Sequence, residues 1–124
     1  MNRSDLTGSN LTDTNLTDAD LLGVNLTGAT LTNTNLTGVK LSYANINGVE
    51  MSNVMLEGAK LNNAKVVNSR ISYSDMTGAN LYNADLTYTK FSDKTLKDAV
   101  LCKTLMPSGQ TENRSFKSVI WQTK

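Results

Sequence analysis

Large apolar residues recur at every fifth position of the chain, from Leu6 to Met106. Every one of these positions is large and apolar, although only 39% of the sequence is hydrophobic. A period of five fits neither the alternation of a β-strand nor the 3.6-residue turn of an α-helix. The pattern therefore predicts a solenoid of five-residue units, each of which contributes one inward side chain, the centre residue.

The positions that flank each centre residue also follow a rule. Two places before the centre, at the minus-two position, the residue is nearly always small or β-branched, as at Ala29 and Ala44. Two places after it, at the plus-two position, Gly and Asn predominate. Both tolerate a positive φ angle, which the second central residue of a type II turn requires. Each unit therefore contains its own corner.

A short extended segment would point its centre and minus-two residues inward, and the minus-one residue between them outward. If four units close one coil, each residue lies over the residue twenty positions later. Successive coils then pair as parallel strands about 4.8 Å apart, and roughly five coils form a rod about 25 Å long. The predicted fold is all-β, a quadrilateral parallel β-helix.

The charged residues support a coil of twenty residues. Opposite charges at minus-one positions fall one coil apart in three pairs, which are Asp20 with Lys40, Glu50 with Arg70, and Lys65 with Asp85. Like charges fall one coil apart in two pairs, which are Lys40 with Lys60, and Arg70 with Lys90. The support is modest, because an exposed ion pair contributes under about 1 kcal/mol.

The sequence resembles the pentapeptide repeat proteins, whose consensus is A(D/N)LXX. The consensus is matched by ADLLG at 19–23, ANLYN at 79–83 and ADLTY at 84–88, and the resemblance covers residues 4–106. It implies a right-handed β-helix of the kind predicted above. LCKTLMPSG at 101–109 is similar to an LCNTxMPDG ending of members from photosynthetic bacteria, which indicates a bacterial, cyanobacterial origin.

One position departs from the repeat. Lys94 falls on an inward minus-two position, where a charge is costly unless its aliphatic stem lets the ammonium reach water. We therefore expect irregular backbone at residues 92–95.

The repeat ends at Pro107, and residues 107–124 form a predicted C-terminal capping segment. Phe116, Val119 and Ile120 have helical spacing, so the pattern favours a short helix that covers the last coil. Alternation is equally compatible with a strand over 111–122.

At the N-terminal end only three residues precede the first unit. The first coil is thus expected to be uncapped, so that either two copies pair through it as a homodimer or a longer chain precedes it.

Composition narrows the function. The 12 basic and 11 acidic residues nearly cancel, which argues against nucleic acid as a partner. Histidine is absent, which removes the commonest general base and metal ligand. The single cysteine, Cys102, is predicted to be a buried inert thiol. We identify no catalytic, metal or cofactor site and no small-molecule substrate.

Membrane-spanning and signal segments would also leave a pattern in the sequence. No apolar run is long enough to cross a membrane, and the first residues lack the apolar core of a signal peptide. A cytoplasmic location follows by default, although a signal peptide removed ahead of residue 1 would leave the same sequence.

Leu22, Met55 and Val67 are predicted to face outward. Val67 falls diagonally beside Tyr88, so this pair is the candidate partner surface. The leading hypothesis is a non-catalytic scaffold that binds another protein. The resemblance adds a second, mimicry of duplex DNA to inhibit a type II topoisomerase such as gyrase, against which the near-neutral charge argues. Nothing in the sequence favours a third, an enzyme.

Overall fold

The computed structural model describes residues 3–92 and 95–112, which wind into stacked four-sided coils. The strands are β1 (Asn45–Asn47), β2 (Glu50–Ser52), β3 (Lys65–Val67), β4 (Arg70–Ser72), β5 (Lys90–Phe91), β6 (Thr104–Leu105) and β7 (Thr111–Glu112). β1 pairs with β3, and β4 lies between β2 and β5, all in parallel. Within the described ranges no helix is long and apolar enough to span a membrane.

The coils contain twenty residues, as predicted from four units per coil. Isolated parallel bridges join residues twenty positions apart from Asp5 with Asn25 to Asp85 with Leu105. The backbone N–H of Leu31 donates to the carbonyl of Glu50 at 2.9 Å, and the N–H of Glu50 donates back to Ala29 at 3.2 Å. The three predicted pairs of opposite charges, and both pairs of like charges, all lie opposite each other in this register.

The centre and minus-two side chains fill the interior of the coils. Centre residues from Leu21 to Leu86 are at most 2% exposed. In the first coil Leu6, Leu11 and Leu16 are only partly buried, as are Phe91, Leu96 and Met106 near the other end. One continuous hydrophobic core therefore runs along the axis, with its outermost layers partly open.

The corners from Gly8 to Tyr88 have the predicted positive φ angle. At Gly23 the φ angle is 66°, and the N–H of Val24 closes the turn by donating to the carbonyl of Leu21 at 3.0 Å. Residues other than glycine also adopt positive φ at plus-two positions, for example Asn53 at 63° and Tyr73 at 52°. The plus-two column thus sets the direction of the chain whichever of these residue types occupies it.

Some corners are held open by a hydroxyl group from the next coil. Ser69 is buried, and its Oγ donates to the carbonyl of Ile46 at 2.9 Å and accepts from the N–H of Val49 at 3.0 Å. The hydroxyl thus stands between the two groups that would otherwise close the turn. At the next corner Ser74 Oγ likewise accepts from the N–H of Val54 at 3.2 Å, and it donates to the carbonyl of Ser72 at 3.1 Å.

The backbone departs from the repeat where irregularity was predicted. Asp93 and Lys94 lie outside the described residues, but Thr95, which the repeat would place outward, is 5% exposed. The N–H of Gly78 donates to Asp98, twenty residues later, whereas in the regular coils Gly58 donates to Thr77, nineteen residues later. The backbone pairing therefore slips by one residue at this point, and the twenty-residue register returns at Asn80 and Val100.

The described part of the C-terminal segment forms a hairpin. β6 pairs antiparallel with β7, and the N–H of Met106 donates to Gln110 at 2.7 Å. The predicted helix is wrong for Thr111 and Glu112, because they pair with β6 as a strand. The positions that favoured a helix, Phe116, Val119 and Ile120, lie outside the described residues. The division into segments 4–106 and 107–124 stays a prediction.

Candidate interaction surface

The exposed large apolar side chains are concentrated at corners. Tyr43, Tyr73 and Tyr88 occupy plus-two positions and are 61%, 80% and 76% exposed. The left-handed backbone of a plus-two residue directs its side chain away from the coil, so a tyrosine placed there cannot reach the core. A ring held out in water offers a large contact area at a small cost in side-chain entropy.

The structure brings the two candidate residues of the sequence pattern to neighbouring coils but gives them different exposure. Val67 ends β3 opposite Asn47 and is half-buried. Tyr88 follows Thr87, whose carbonyl accepts the N–H of Asn68 at 3.1 Å. Tyr88 therefore supplies most of the exposed area, and Val67 lies at its edge.

Of the other residues predicted to face outward, Met55 is 46% exposed and Leu22 is half-buried. Cys102, predicted to be buried, is partly exposed, because it occupies a plus-one position on the outside of the coil rather than one that points inward.

Tyr73 and Arg70 were missed as candidates from the sequence. Tyr73 occupies a plus-two position like Tyr88, so the same rule would have found it. Arg70 lies opposite Lys90 on the strand that leads to Tyr73. Arg70, Lys90, Tyr73 and Tyr88 share one face of the solenoid. Tyr88 stands at the corner where this face begins, and Tyr73 at the corner where it ends.

An open recess of about 300 Å³ lies at the Tyr88 corner of this face. Arg70, Lys90 and Tyr88 are among its lining residues, together with Gly48 and Asn68. The last two occupy the same corner as Tyr88 in the two preceding coils. Along this corner Gly48 has no side chain, Asn68 has a small amide and Tyr88 has a large ring. The recess therefore lies beside the two smaller residues, below the ring of Tyr88.

The outward polar residues of the other corners are held in place by local hydrogen bonds. Oδ1 of Asp75 accepts from the backbone N–H of Thr77 at 2.9 Å and from its hydroxyl at 2.6 Å. Both bonds stabilise the carboxylate and so lower the pKa of Asp75, and the bond from the Thr77 hydroxyl has the larger effect. The pKa of Asp5 is lowered in the same way by Thr7. Carboxylates tied to their own turn stabilise the corner.

The described residues contain no group of three or more His, Cys, Asp or Glu side chains that could hold a metal ion. A second open recess, of about 320 Å³, lies where the coil departs from the repeat, between Tyr73, Asp75 and Lys97. Both recesses are shallow features of the outer surface, since the interior is filled by the core.

Comparison with known proteins agrees with this geometry. The family described as "Pentapeptide repeats (8 copies)" matches residues 1–38, 34–72 and 67–101. The chain matches none of the curated proteins with which it was compared.

Among solved structures, Rfr23, a pentapeptide repeat protein from the cyanobacterium Cyanothece 51142, is 32% identical with a TM-score of 0.70, over 72% of this chain and 60% of Rfr23. A pentapeptide repeat protein from Nostoc PCC 7120 is 25% identical with a TM-score of 0.50, over 77% of this chain and 80% of its own. The chain thus spans less than two thirds of Rfr23. Given the matched repeats and this fold, the chain belongs to the pentapeptide repeat family and forms its right-handed quadrilateral β-helix.

Proposed function

We propose that this protein is a non-catalytic scaffold that presents the faces of its β-helix to a protein partner. The observation that carries the proposal is that apolar side chains fill the interior, while large exposed side chains stand at the corners. The core fills the interior from Leu21 to Leu101, while the large side chains with free surface stand at the corners, as Tyr73 and Tyr88 do. A solenoid with rigid, extended faces is suited to binding another macromolecule along its length.

The chemistry of the outer surface supports the same function. The sequence has no histidine, and Asp5 and Asp75 are engaged by the threonines of their own turns. Carboxylates with lowered pKa values are poor general bases near neutral pH, because their basicity is reduced. The candidate partner surface comprises Val67 and Tyr88.

Affinity capture from an extract of the cells that make the protein tests the proposal. Immobilised protein should retain one partner in a fixed ratio, and Tyr88→Asn should reduce its recovery. Asn is chosen as the replacement because Asn68 adopts a φ angle of 52° at the same corner one coil earlier, so the backbone of the corner can be kept. If no protein is retained above the level bound by the resin alone, the scaffold function is rejected.

Inhibition of gyrase by DNA mimicry receives less support. A DNA mimic needs continuous rows of negative charge, whereas Lys40 and Lys60 lie on consecutive rungs of one face and Arg70 and Lys90 on those of another. Near-neutral net charge also gives little steering toward a site built for DNA.

Two further predictions remain. One is a cytoplasmic location. The other is that two copies pair through the first coil, which light scattering would test by measuring the molar mass in solution.

A further inference from the structure

The face that contains β4 and β5 combines exposed aromatic and basic side chains in one place. Arg70 and Lys90 lie opposite each other on these strands. Tyr73 and Tyr88 stand at the two edges of the same face and have the largest exposed fractions among the exposed large hydrophobic residues, 80% and 76%. We call these four residues the tyrosine–arginine face.

The fold does not require this combination. A plus-two corner accepts Gly48 or Asn68 at the place where Tyr88 stands one or two coils later. Two cations on adjacent parallel strands, about 4.8 Å apart along the axis, also repel each other. Tyrosine and arginine are the residue types most enriched at the energetic centres of protein interfaces.

On the face itself bases outnumber acids, while beyond Tyr73 the acids Asp75 and Asp98 lie near Lys97. Glu50 lies opposite Arg70 on the side away from Lys90, so one acid faces two bases along the column. On the adjacent face Lys65 lies opposite Asp85, and these two charges offset each other. A negatively charged partner therefore complements the face.

The opposite side of the solenoid offers a matched comparison. Lys40 and Lys60 are also adjacent like charges at minus-one positions. That face has Tyr43 at one corner, 61% exposed, and Tyr82 on its surface. Tyr82 is only 40% exposed, and the ammonium of Lys103 lies 5.9 Å from its ring centroid. The ring of Tyr82 is engaged by a cation, and a tyrosine stands at only one corner of this face, whereas Tyr88 and Tyr73 stand at both corners of the tyrosine–arginine face.

We infer that the tyrosine–arginine face binds an extended acidic segment of a partner protein. Carboxylates of the segment would pair with Arg70 and Lys90, which line the polar recess of about 300 Å³, and an aromatic side chain would lie against the exposed ring of Tyr88. Arginine pairs with a carboxylate through two parallel hydrogen bonds, which gives the contact direction as well as charge. The inference rests on the proposed scaffold function and names the chemistry of its partner.

An acidic segment fits the face better than nucleic acid does. A phosphate backbone needs a long basic track for useful affinity. This face provides two cations next to Glu50, in a chain whose net charge is +1. Duplex DNA is therefore the competing ligand for the experiment.

The test is a titration of the isotope-labelled protein, followed by NMR, with a capped peptide of sequence Gly-Glu-Phe-Glu-Gly-Glu-Gly. Amide shifts should cluster at residues 68–73 and 88–91, and the peptide in which glutamine replaces glutamate should bind at least about tenfold more weakly. Shifts spread over both basic faces, no binding, equal binding of the glutamine peptide, or tighter binding of a 20-base-pair duplex to this face would overturn the inference.

Two matched variants locate the site. Arg70→Glu with Lys90→Glu should weaken peptide binding about tenfold or more. Lys40→Glu with Lys60→Glu makes the same change in net charge on the other face and should change binding less than about twofold. Equal losses in both would overturn the inference in favour of unspecific attraction. A similar small decrease in melting temperature is expected for both variants, because each places three carboxylates on consecutive strands of one column.

Tyr88→Asn and Tyr43→Asn form a second matched pair, since both remove a corner tyrosine at a positive φ angle. Only the first should weaken peptide binding, by about fivefold. A protein partner recovered by affinity capture while the acidic peptide fails to bind would refute this inference and leave the scaffold function standing.

Discussion

The hydroxyl of Ser69 accepts a hydrogen bond from the backbone N–H of Val49, twenty residues earlier, at a distance of 3.0 Å. The same hydroxyl donates to Ile46, which Val49 would contact if the turn were closed. A side chain of one coil thus replaces a backbone hydrogen bond of the coil before it. The contact couples the conformation of one corner to a residue in the next coil.

Replacing Ser69 with alanine should therefore destabilise the protein by about 1–3 kcal/mol, because two buried backbone groups lose their partner. Urea unfolding measures the change. Ser72→Ala is the control, since Ser72 lies in β4, which begins directly after Ser69, with its side chain on the outside, and should shift stability by under about 0.5 kcal/mol. Equal midpoints for the two variants would show that the hydroxyl contributes nothing.

Leu56→Asp should abolish cooperative folding, with a loss of more than about 4 kcal/mol. Leu56 is 1% exposed in the middle of the core, so the new carboxylate would be buried without a partner. Circular dichroism and thermal melting provide the measurement. Asn45→Asp introduces the same group at an exposed position opposite Lys65 and should leave the melting curve unchanged. A folded Leu56→Asp would mean that the centre residues do not form the core.

Gly58→Ala should cost about 1 kcal/mol, measured by urea unfolding. A methyl group at Gly58 meets open space, so the penalty arises from its φ angle of 65° alone. Gly58→Asn should cost less, because Asn53 adopts a φ angle of 63° at an equivalent corner. A larger loss for Asn than for Ala would contradict the role assigned to the plus-two position.

The pKa of Asp75 should lie below its ordinary value of 3.8, and Thr77→Ala should raise it by removing the strongest of its hydrogen bonds. A depressed folded pKa means that the carboxylate stabilises the fold above the pKa of the unfolded chain. This contribution is lost as the pH falls through the folded pKa. NMR titration measures the shift, with Asp5 beside Thr7 as the unaltered internal reference. An unchanged pKa in the variant would assign the depression to another cause.

The protein should not inhibit gyrase supercoiling at micromolar concentration, because the rows of negative charge that mimicry needs are interrupted by Lys40, Lys60, Arg70 and Lys90. A known inhibitor of the enzyme provides the positive control. Strong inhibition by the folded chain would reverse the order of the two functional hypotheses.

The sequence by itself determined the architecture. The period of five fixed which side chains point inward, and Gly or Asn at plus-two fixed the corners, because these features depend on residues within a single unit. Four units per coil predicted the coil of twenty residues, and the charges at minus-one gave it modest support. Tyr88 could be found as an exposed residue from its place in the repeat, and Tyr73 could have been found in the same way.

Contacts between coils decided the rest. Thr34 and Ser69 occupy the same position in the repeat, and each donates to a carbonyl of the previous coil. Yet Thr14 still closes its turn on Leu11, while Val49 does not close on Ile46. The difference depends on how neighbouring coils stack, which no five-residue pattern encodes.

The same reason explains the two features that the repeat could not specify. The burial of Thr95 accompanies a local one-residue slip in the pairing with the neighbouring coil, where Gly78 bonds Asp98. The strand at Thr111–Glu112 follows from the free edge of β6. The basic pair between two tyrosines likewise exists only once the chain has closed a coil, because Arg70 and Lys90 are brought together by the coil, and not by the sequence between them.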